Sequence, residues 1–283
     1  MGRVQIGVLA SLMLTNASGA HGAAPGAESA GVVPRSSLAR PAVRLEDPRY
    51  DDYGPGSYIY PTDFWYRRGM FDLRAFEVVT TDTEVTFRVF LEFPIQRPDQ
   101  VMINTSQALP LDNEIFFRNI DIFVDFIPGS GETDGIPGRN VRFRESEAWD
   151  FALIITPQPD LVRQILRGWP PARHIFVADN VRSRGQEVWV TIPLARVGGV
   201  PDAESGYQVV VSGALERNNF QVFLRVADAF QVDALTMPVF GVAETQAFGG
   251  GDLSRWQPRA IDILTPKGVT QAEILSHYDH ETR

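Results

Sequence analysis

The side chains best suited to chemistry are concentrated in residues 47–62, which hold three aspartates, four tyrosines, three prolines and two glycines. This stretch has neither helical nor strand periodicity, and its prolines and glycines favour turns, so we expect a rigid loop. Ca²⁺ takes about six to eight oxygen ligands from carboxylates, carbonyls and water. Asp47, Asp51 and Asp52 are therefore either calcium ligands or turn residues that hydrogen-bond their own backbone.

Aromatic rings beside arginines form a second candidate site. Flat rings can stack on the apolar faces of sugars while neighbouring polar side chains bond the sugar hydroxyls. The clearest cluster is the run of three aromatic residues and two arginines at 64–68. The candidate carbohydrate contacts are Trp65, Tyr66, Arg67, Arg68, Trp169 and Trp256. Each loop tryptophan could equally be a lid over the core, whereas Trp149 and Trp189 are expected to pack within strands.

Catalytic patterns are weak in this sequence. Of the four histidines, only His174 lies away from the chain ends, and no Gly-x-Ser-x-Gly motif presents a nucleophile. His277 and His280 have the spacing of a metal pair, although such residues near a terminus are more often solvated. Because the chain has 35 acidic residues, a catalytic pair of carboxylates is not excluded by the sequence. We predict that the protein is not an enzyme.

The composition narrows the partners and the redox chemistry. The 283 residues carry a net charge of −9, which opposes nonspecific binding to nucleic acid or to an anionic membrane. Because there is no cysteine, disulfides, thiolate metal sites and thiol catalysis are excluded. The 24 glycines and 20 prolines favour a fold rich in turns.

The amino terminus has the features of an export signal. Arg3 is followed by a short apolar run over 4–14 and by small residues before Ala20, which together predict a signal peptide at 1–20. We expect 21–42 to be a disordered linker and 43–283 to be a single β-sandwich binding domain. The protein would then reach the periplasm, the cell surface or the medium, with no transmembrane segment after cleavage. An uncleaved anchor is the alternative.

Alternating apolar residues predict the strands that position these groups. The alternation is clearest at 84–93 and 120–126. Further strands are predicted at 69–79, 149–156, 175–181, 187–192, 207–215, 220–228 and 261–264. Helical spacing occurs at 160–167, and a terminal helical turn is expected within 270–278. Many alternating strands separated by turns predict an all-β fold, a two-sheet antiparallel, jelly-roll-like sandwich with one or two short helices.

Three motifs, in order along the chain, resemble the glucodextranase C-terminal module family. They are Asp51 to Thr62 with Phe71-Asp72-Leu73, then Asn119 to Asp125 with Ala148 to Leu153, and last Ala260 to Pro266 with Gln271 to Tyr278. The resemblance covers about Val43 to Asp279. It implies a β-sandwich module found mostly on secreted glycoside hydrolases, similar to family 9 carbohydrate-binding modules and DOMON-like sandwiches. Residues 93–98 depart from the family's Asn-Pro-Trp-like stretch, so a ligand contact there is not carried over.

The resemblance also implies a structural calcium ion, because the family and the family 9 modules use acidic loop residues for calcium. Carried over by motif position, the ligands are Asp51, Asp52 and Asp72. Asp47 and Asp150 are further candidates. Calcium in this position would tie the amino-terminal loop to the sandwich.

These observations lead to one leading hypothesis and two alternatives. We predict an exported, non-catalytic module that binds carbohydrate or cell-surface polysaccharide and holds structural calcium. Related sandwiches bind haem, so an electron-transfer protein is the second hypothesis, with His174 and one of Met70, Met102 or Met237 as axial ligands. The third is an accessory subunit of an envelope protein complex, in which exposed aromatic residues contact a protein partner.

Overall fold

The computed structural model describes residues 43–54, 67–96, 113–137, 139, 141–157, 159–214 and 260–275. The expected signal peptide and linker, 1–42, lie outside this part of the chain, as does the strand predicted at 220–228. Within the described residues, none of the helices is long and apolar enough to span a membrane.

The described residues form two β-sheets and short helices. The strands are β1 Val43–Glu46, β2 Leu73–Thr80, β3 Glu84–Leu91, β4 Phe117–Asp125, β5 Phe151–Ile155, β6 Ile175–Val177, β7 Arg182–Arg184, β8 Glu187–Pro193, β9 Gly206–Ala214 and β10 Asp262–Ile263. The α-helices are α1 Pro159–Leu166 and α2 Gln271–Leu275. Short 3-10 turns are Glu145–Glu147, Pro170–His174 and Leu194–Arg196.

The strands build a two-sheet, sandwich-like arrangement, which confirms the predicted fold class. One sheet has the order β1-β2-β3-β8-β7, and the other has the order β10-β9-β4-β5-β6. All pairs are antiparallel except β5 and β6, which run parallel with Ala152 opposite Ile175. This parallel pair departs from the predicted antiparallel sheet, because α1 and the following 3-10 turn carry the chain back to the start of β6.

The inner core follows the alternation read from the sequence. In β3, Val85, Phe87, Val89 and Leu91 are buried while the residues between them are partly exposed, as expected. The facing sheet contributes inward residues such as Ile122, and all of these belong to one hydrophobic cluster. Burial of alternate side chains from two facing sheets is what holds the layers together.

The outer face of the second sheet is buried as well. Phe123 and Trp149 pack there with Val162 of α1 in a second hydrophobic cluster. Asp121 points to the same face and is fully buried, and its Oδ2 accepts a hydrogen bond of 2.7 Å from Nε of Arg139. Because the helix and the neighbouring loop cover this sheet, β5 is buried at every position rather than at alternate ones.

Candidate functional site

Four aspartates meet where the first and last parts of the described chain lie side by side. Asp47 follows β1 and Asp72 precedes β2. These two strands are antiparallel neighbours, so the two residues lie at the same end of the strand pair. The backbone N–H of Asp47 donates to the carbonyl of Arg74 at 3.0 Å. Asp51 lies in the loop that follows, and Asp262 comes from β10 of the other sheet.

Carboxylate oxygens of Asp47, Asp51 and Asp262 all lie within 4.8 Å of one another. Asp262 is fully buried, and its Oδ2 accepts a hydrogen bond of 2.6 Å from the backbone N–H of Leu73. Its Oδ1 accepts a second bond of 2.6 Å from Nε2 of Gln271, at the start of α2. The spacing of the three carboxylates suits coordination of one cation by several oxygens.

The loop that carries Asp51 is tied down at several points. The N–H of Tyr50 donates to Oδ2 of Asp72 at 2.7 Å, and Tyr50 has a φ of +66°, which is uncommon for a residue with a Cβ. The N–H of Gly54 donates to the carbonyl of Ile261 at 2.8 Å. Gln271 Nε2 also donates to the carbonyl of Asp51. The described part of the loop is thus fixed to both sheets, as the sequence led us to expect.

Several buried oxygens around this cluster have no hydrogen-bond partner among the described residues. They are Asp47 Oδ2, Asp51 Oδ1, Asp72 Oδ1 and Gln271 Oε1. Buried polar atoms in native proteins are nearly always bonded, and leaving one unsatisfied costs about 1–3 kcal/mol. All four atoms are acceptors of the hard-oxygen type that Ca²⁺ prefers, so the donor set fits a calcium ion.

The charges of the cluster repel one another when no cation is bound. Burial, with smaller contributions from Asp51 and Asp72, raises the pKa of Asp47 to about 8. Burial also raises the pKa of Asp72 to about 7, with Asp52 and Asp51 adding to the effect. The pKa values of Asp51 and Asp262 are raised as well, in both cases chiefly by burial. A bound divalent cation would remove this penalty on the ionised forms.

Four of the five predicted metal ligands lie in or beside the aspartate cluster, and the fifth does not. Asp47 and Asp51 belong to the cluster, Asp72 is coupled to it electrostatically, and Asp52 is buried beside Asp72. Asp150 lies elsewhere, because its Oδ2 caps the backbone N–H groups of residues 126 and 127 at 2.8 and 3.0 Å.

The strand register separates Asp150 from Asp262. Asp262 is aligned through Val211 and Ile120 with Ile155, at the far end of β5 from Asp150. This register places the two aspartates roughly 17 Å apart along the strands. Asp262 and Gln271 were not predicted as ligands. The signal for Asp262 was a single charged residue within the apolar run 261–264.

The predicted sugar contacts fall in different settings. Arg67 and Arg68 are exposed, and the Arg67 guanidinium lies 5.8 Å from the centre of the Phe93 ring. Trp169 is half-buried against the outer hydrophobic cluster, which agrees with the alternative of a lid over the core. Candidates outside the described residues are Trp65, Tyr66 and Trp256.

The other sequence candidates that the structure describes make contacts within the fold. Trp149 is buried as expected, but it lies two residues before β5, in an isolated bridge with Glu132. Trp189 is half-buried on β8, as expected for a strand tryptophan. Met70 lies in the inner core, whereas Nε2 of His174 accepts a hydrogen bond of 2.7 Å from Nε of Arg173. The remaining candidates Met102, Met237, His277 and His280 lie outside the described residues.

A groove of about 680 Å³ borders β4 and β9, and sequence reasoning did not identify it. We call it the aromatic groove, and its rings are Phe123, Phe143, Trp149 and Tyr207. The Phe123 ring centre lies 4.7 Å from that of Phe143 and 5.6 Å from that of Trp149. Polar and charged side chains that also line the groove include Asp125, Arg142, Arg144, Glu147, Gln208 and Lys267.

The fold defines this protein as a β-sandwich, an architecture that serves binding modules and enzymes alike. Comparison with known families narrows the class. The chain belongs to the family described as the C-terminal, SLH-like binding module of glucodextranase, whose sequence profile matches residues 42–283. The family therefore consists of binding modules rather than catalytic domains, and the resemblance seen in the sequence is confirmed. No curated protein matches the chain.

Proposed function

We propose that this protein is an exported, non-catalytic module that binds carbohydrate in the aromatic groove and holds a structural calcium ion in the aspartate cluster. The observation that carries the binding function is the groove itself, which combines clustered rings with charged and amide side chains. Its volume of about 680 Å³ falls in the range of about 300–1,000 Å³ that is usual for ligand pockets.

The aromatic groove has the chemistry that a sugar requires. Phe143 is half-buried, so part of its ring is open to a ligand. Its buried side packs against the cluster that contains Phe123 and Trp149. Such a ring can stack on the apolar face of a pyranose. Arg142 and Gln208 line the same groove and can bond sugar hydroxyls, which gives a ligand orientation as well as burial.

Calcium has a structural role in this proposal. Asp47, Asp51 and Asp262 would hold the ion, with Asp72 and Gln271 supplying further oxygens. The ion supplies positive charge among buried carboxylates and links β1, β10 and α2. Export is supported by the signal-like residues 1–20 and by membership of a module family named after glucodextranase.

Binding to a glycan panel tests the proposal. The mature chain, residues 21–283, is passed over immobilised α- and β-glucans and bacterial envelope polysaccharides. We expect selective retention that Phe143→Ala weakens about tenfold or more, because the variant removes the open ring of the groove. Trp189→Ala is the matched control, since Trp189 is a half-buried ring on β8 of the other sheet and does not line the aromatic groove.

Two outcomes would redirect the search. Retention that is insensitive to Phe143→Ala but lost in Trp65→Ala would move the sugar site to the loop cluster predicted from the sequence. No retention by a folded protein on any glycan would reject carbohydrate binding. Co-purification of a partner by the folded chain would then favour the accessory-subunit hypothesis.

A further inference from the structure

A second cavity, of about 540 Å³, is lined by an unusual concentration of arginines. It borders the edge strand β6, the end of α1 and the 3-10 turn that follows β8. We call it the arginine cavity, and its charged lining residues are Arg163, Arg167, Arg173, Arg196 and Asp179. Four cations against one anion contrast with the net charge of −9 for the whole chain.

The arginines reach this cavity from three separate elements. Arg163 lies in α1 and Arg167 follows it, Arg173 lies in the turn Pro170–His174, and Arg196 ends the turn Leu194–Arg196. Basic residues at a helix end interact favourably with the helix dipole, which accounts for the first two. Arg173 and Arg196 do not belong to α1, so the dipole does not explain why they face the same space.

Two of the arginines are already engaged with acidic residues. Arg163 donates to Asp160 at 2.8 Å and also bonds Asp179, and Arg173 lies 3.7 Å from Glu132. Among the described residues, Arg167 and Arg196 have no ion-pair partner, although the Arg196 guanidinium lies 5.8 Å from the centre of the Phe176 ring. These two side chains carry the uncompensated charge of the cavity.

The chemistry of this lining selects an anion with a planar or tetrahedral oxygen group. A guanidinium presents a rigid fork of N–H donors that matches carboxylates and phosphates with two parallel hydrogen bonds. Arginines that reach one space from three elements can contact the same anionic group from several sides, which an isolated surface arginine cannot do.

The position of the cavity argues for a polymer that also reaches the aromatic groove. The groove borders β4 and the cavity borders β6 of the same sheet, with β5 between them. Adjacent strands are spaced by about 4.8 Å, so roughly 10 Å separates β4 from β6. A polysaccharide of a few sugar units can span such a distance.

We propose that the arginine cavity binds the carboxylate or phosphate groups of an acidic polysaccharide whose sugar rings occupy the aromatic groove. This inference rests on the proposed carbohydrate-binding function and gives it a substrate class. The ligand is an anionic glycan rather than a neutral glucan. Binding weakens as salt is added, because part of the affinity comes from exposed charges.

The test compares polymers that differ only in charge. The mature chain is titrated with polygalacturonate and with the same polymer after full methyl esterification. A phosphomannan and its dephosphorylated form serve as the phosphate arm. We expect the esterified polymer to bind at least tenfold more weakly than the acidic one. Stronger binding to one acidic polymer identifies the anion as carboxylate or phosphate.

Single substitutions test whether the arginine cavity causes the preference for the acidic polymer. Arg167→Gln and Arg196→Gln should each weaken binding to the acidic polymer about tenfold, which is the usual value of one charge-assisted hydrogen bond. Neither should change binding to the esterified polymer. Arg184→Gln is the control, because Arg184 is exposed on β7 of the other sheet. Thermal unfolding confirms that each variant is folded.

The failures of the two proposals are distinguishable. Equal binding of acidic and esterified polymers, weakened by Phe143→Ala, would overturn the arginine cavity and keep the aromatic groove. Preference for acid that neither arginine variant reduces would also overturn it. A folded protein that binds none of these polymers and no member of the glycan panel would reject both proposals.

Discussion

The carboxylate of Asp262, in one sheet, accepts a hydrogen bond of 2.6 Å from the backbone N–H of Leu73, the first residue of β2 in the other sheet. Asp47 makes a similar link, since its Oδ1 accepts hydrogen bonds from the backbone N–H and the hydroxyl of Thr265 at 2.6 and 3.1 Å. Buried carboxylates thus connect the two ends of the described chain. The contribution of these carboxylates to the stability of the fold depends on how their negative charge is neutralised.

Calcium should stabilise the folded protein at pH 8. A ligand at a free concentration 100 times its Kd adds about 2.7 kcal/mol to the free energy of unfolding. For a domain of this size, that increment raises Tm by roughly 5–10 °C. Thermal unfolding monitored by circular dichroism, with excess Ca²⁺ and with chelator, measures the difference. Equal Tm values in the two buffers would remove calcium from the proposed function.

Asp262→Asn should abolish the calcium-dependent rise in Tm. The variant removes one of the three clustered carboxylates, so calcium loses a charged ligand. In chelator, the variant loses one source of repulsion but also one accepted hydrogen bond, because an amide nitrogen replaces one of the oxygens bonded to Leu73 and Gln271. The comparison is therefore made within each protein, between excess calcium and chelator. Asp82→Asn is the control, since Asp82 is exposed in the turn before β3. A calcium effect that survives in Asp262→Asn would place the ion elsewhere.

Stability without calcium should fall as the pH rises. The pKa values of Asp47 and Asp72 are raised to about 8 and about 7, so the folded state binds protons that the unfolded chain releases near pH 4. This contribution to folding is fully present below the unfolded pKa and is lost as the pH rises through the folded values. In chelator, Tm should therefore decrease between pH 5.5 and 8.5.

Calcium should counteract the decrease in Tm with rising pH. The ion binds the ionised carboxylates and competes with protons, so the calcium-induced rise in Tm should be largest at pH 8.5 and smallest at pH 5.5. Asp47→Asn should reduce the pH dependence in chelator, whereas Asp82→Asn should leave it unchanged. A calcium effect of equal size at both pH values would contradict the assignment of the ion to these aspartates.

Strands β2, β3 and β8 could be predicted because one face of their sheet is buried and the other is partly open. This contrast gives β3 its alternating sequence, and its predicted range of 84–93 agrees closely with the observed Glu84–Leu91. The edge strands β1 and β7 were not predicted, since four and three residues are too few to show a period. The parallel pairing of β6 depends on the path through α1, which local pattern does not encode.

The candidate metal site could be predicted only in part. Asp47 and Asp51 stood out because they lie close together in an unusual loop. Asp262 and Gln271 follow Asp47 by more than 200 residues and join it only through the order of strands in two sheets. The aromatic groove has the same origin, because its lining residues come from elements that are distant in sequence. The arginine cavity is lined only by residues within 163–196, but its shape depends on how the turns around β6 and β8 pack.

The buried ion pair of Asp121 and Arg139 should be costly to break. Both side chains are almost completely buried, and their Nε to Oδ2 distance is 2.7 Å. Arg139→Leu leaves the Asp121 carboxylate buried without its cation, so we expect a loss of about 3–5 kcal/mol in the free energy of unfolding. Adding Asp121→Leu should recover part of the loss, as measured by a double-mutant cycle in urea. Additive losses would show that the pair is not coupled.

Gly131 should be intolerant of any side chain, because it supports the backbone at Trp149. A Cβ at residue 131 would lie 2.4 Å from the Trp149 carbonyl oxygen, and the φ of +98° disfavours residues other than glycine. Gly131→Ala should therefore lower the free energy of unfolding by about 2 kcal/mol or more, in a urea titration. Gly268→Ala separates the two causes, since Gly268 has a φ of +85°, closer to that of Gly131, with no atom near the added Cβ, and we expect a loss of only about 1 kcal/mol. Equal losses in the two variants would show that backbone strain, rather than the clash at Trp149, sets the cost.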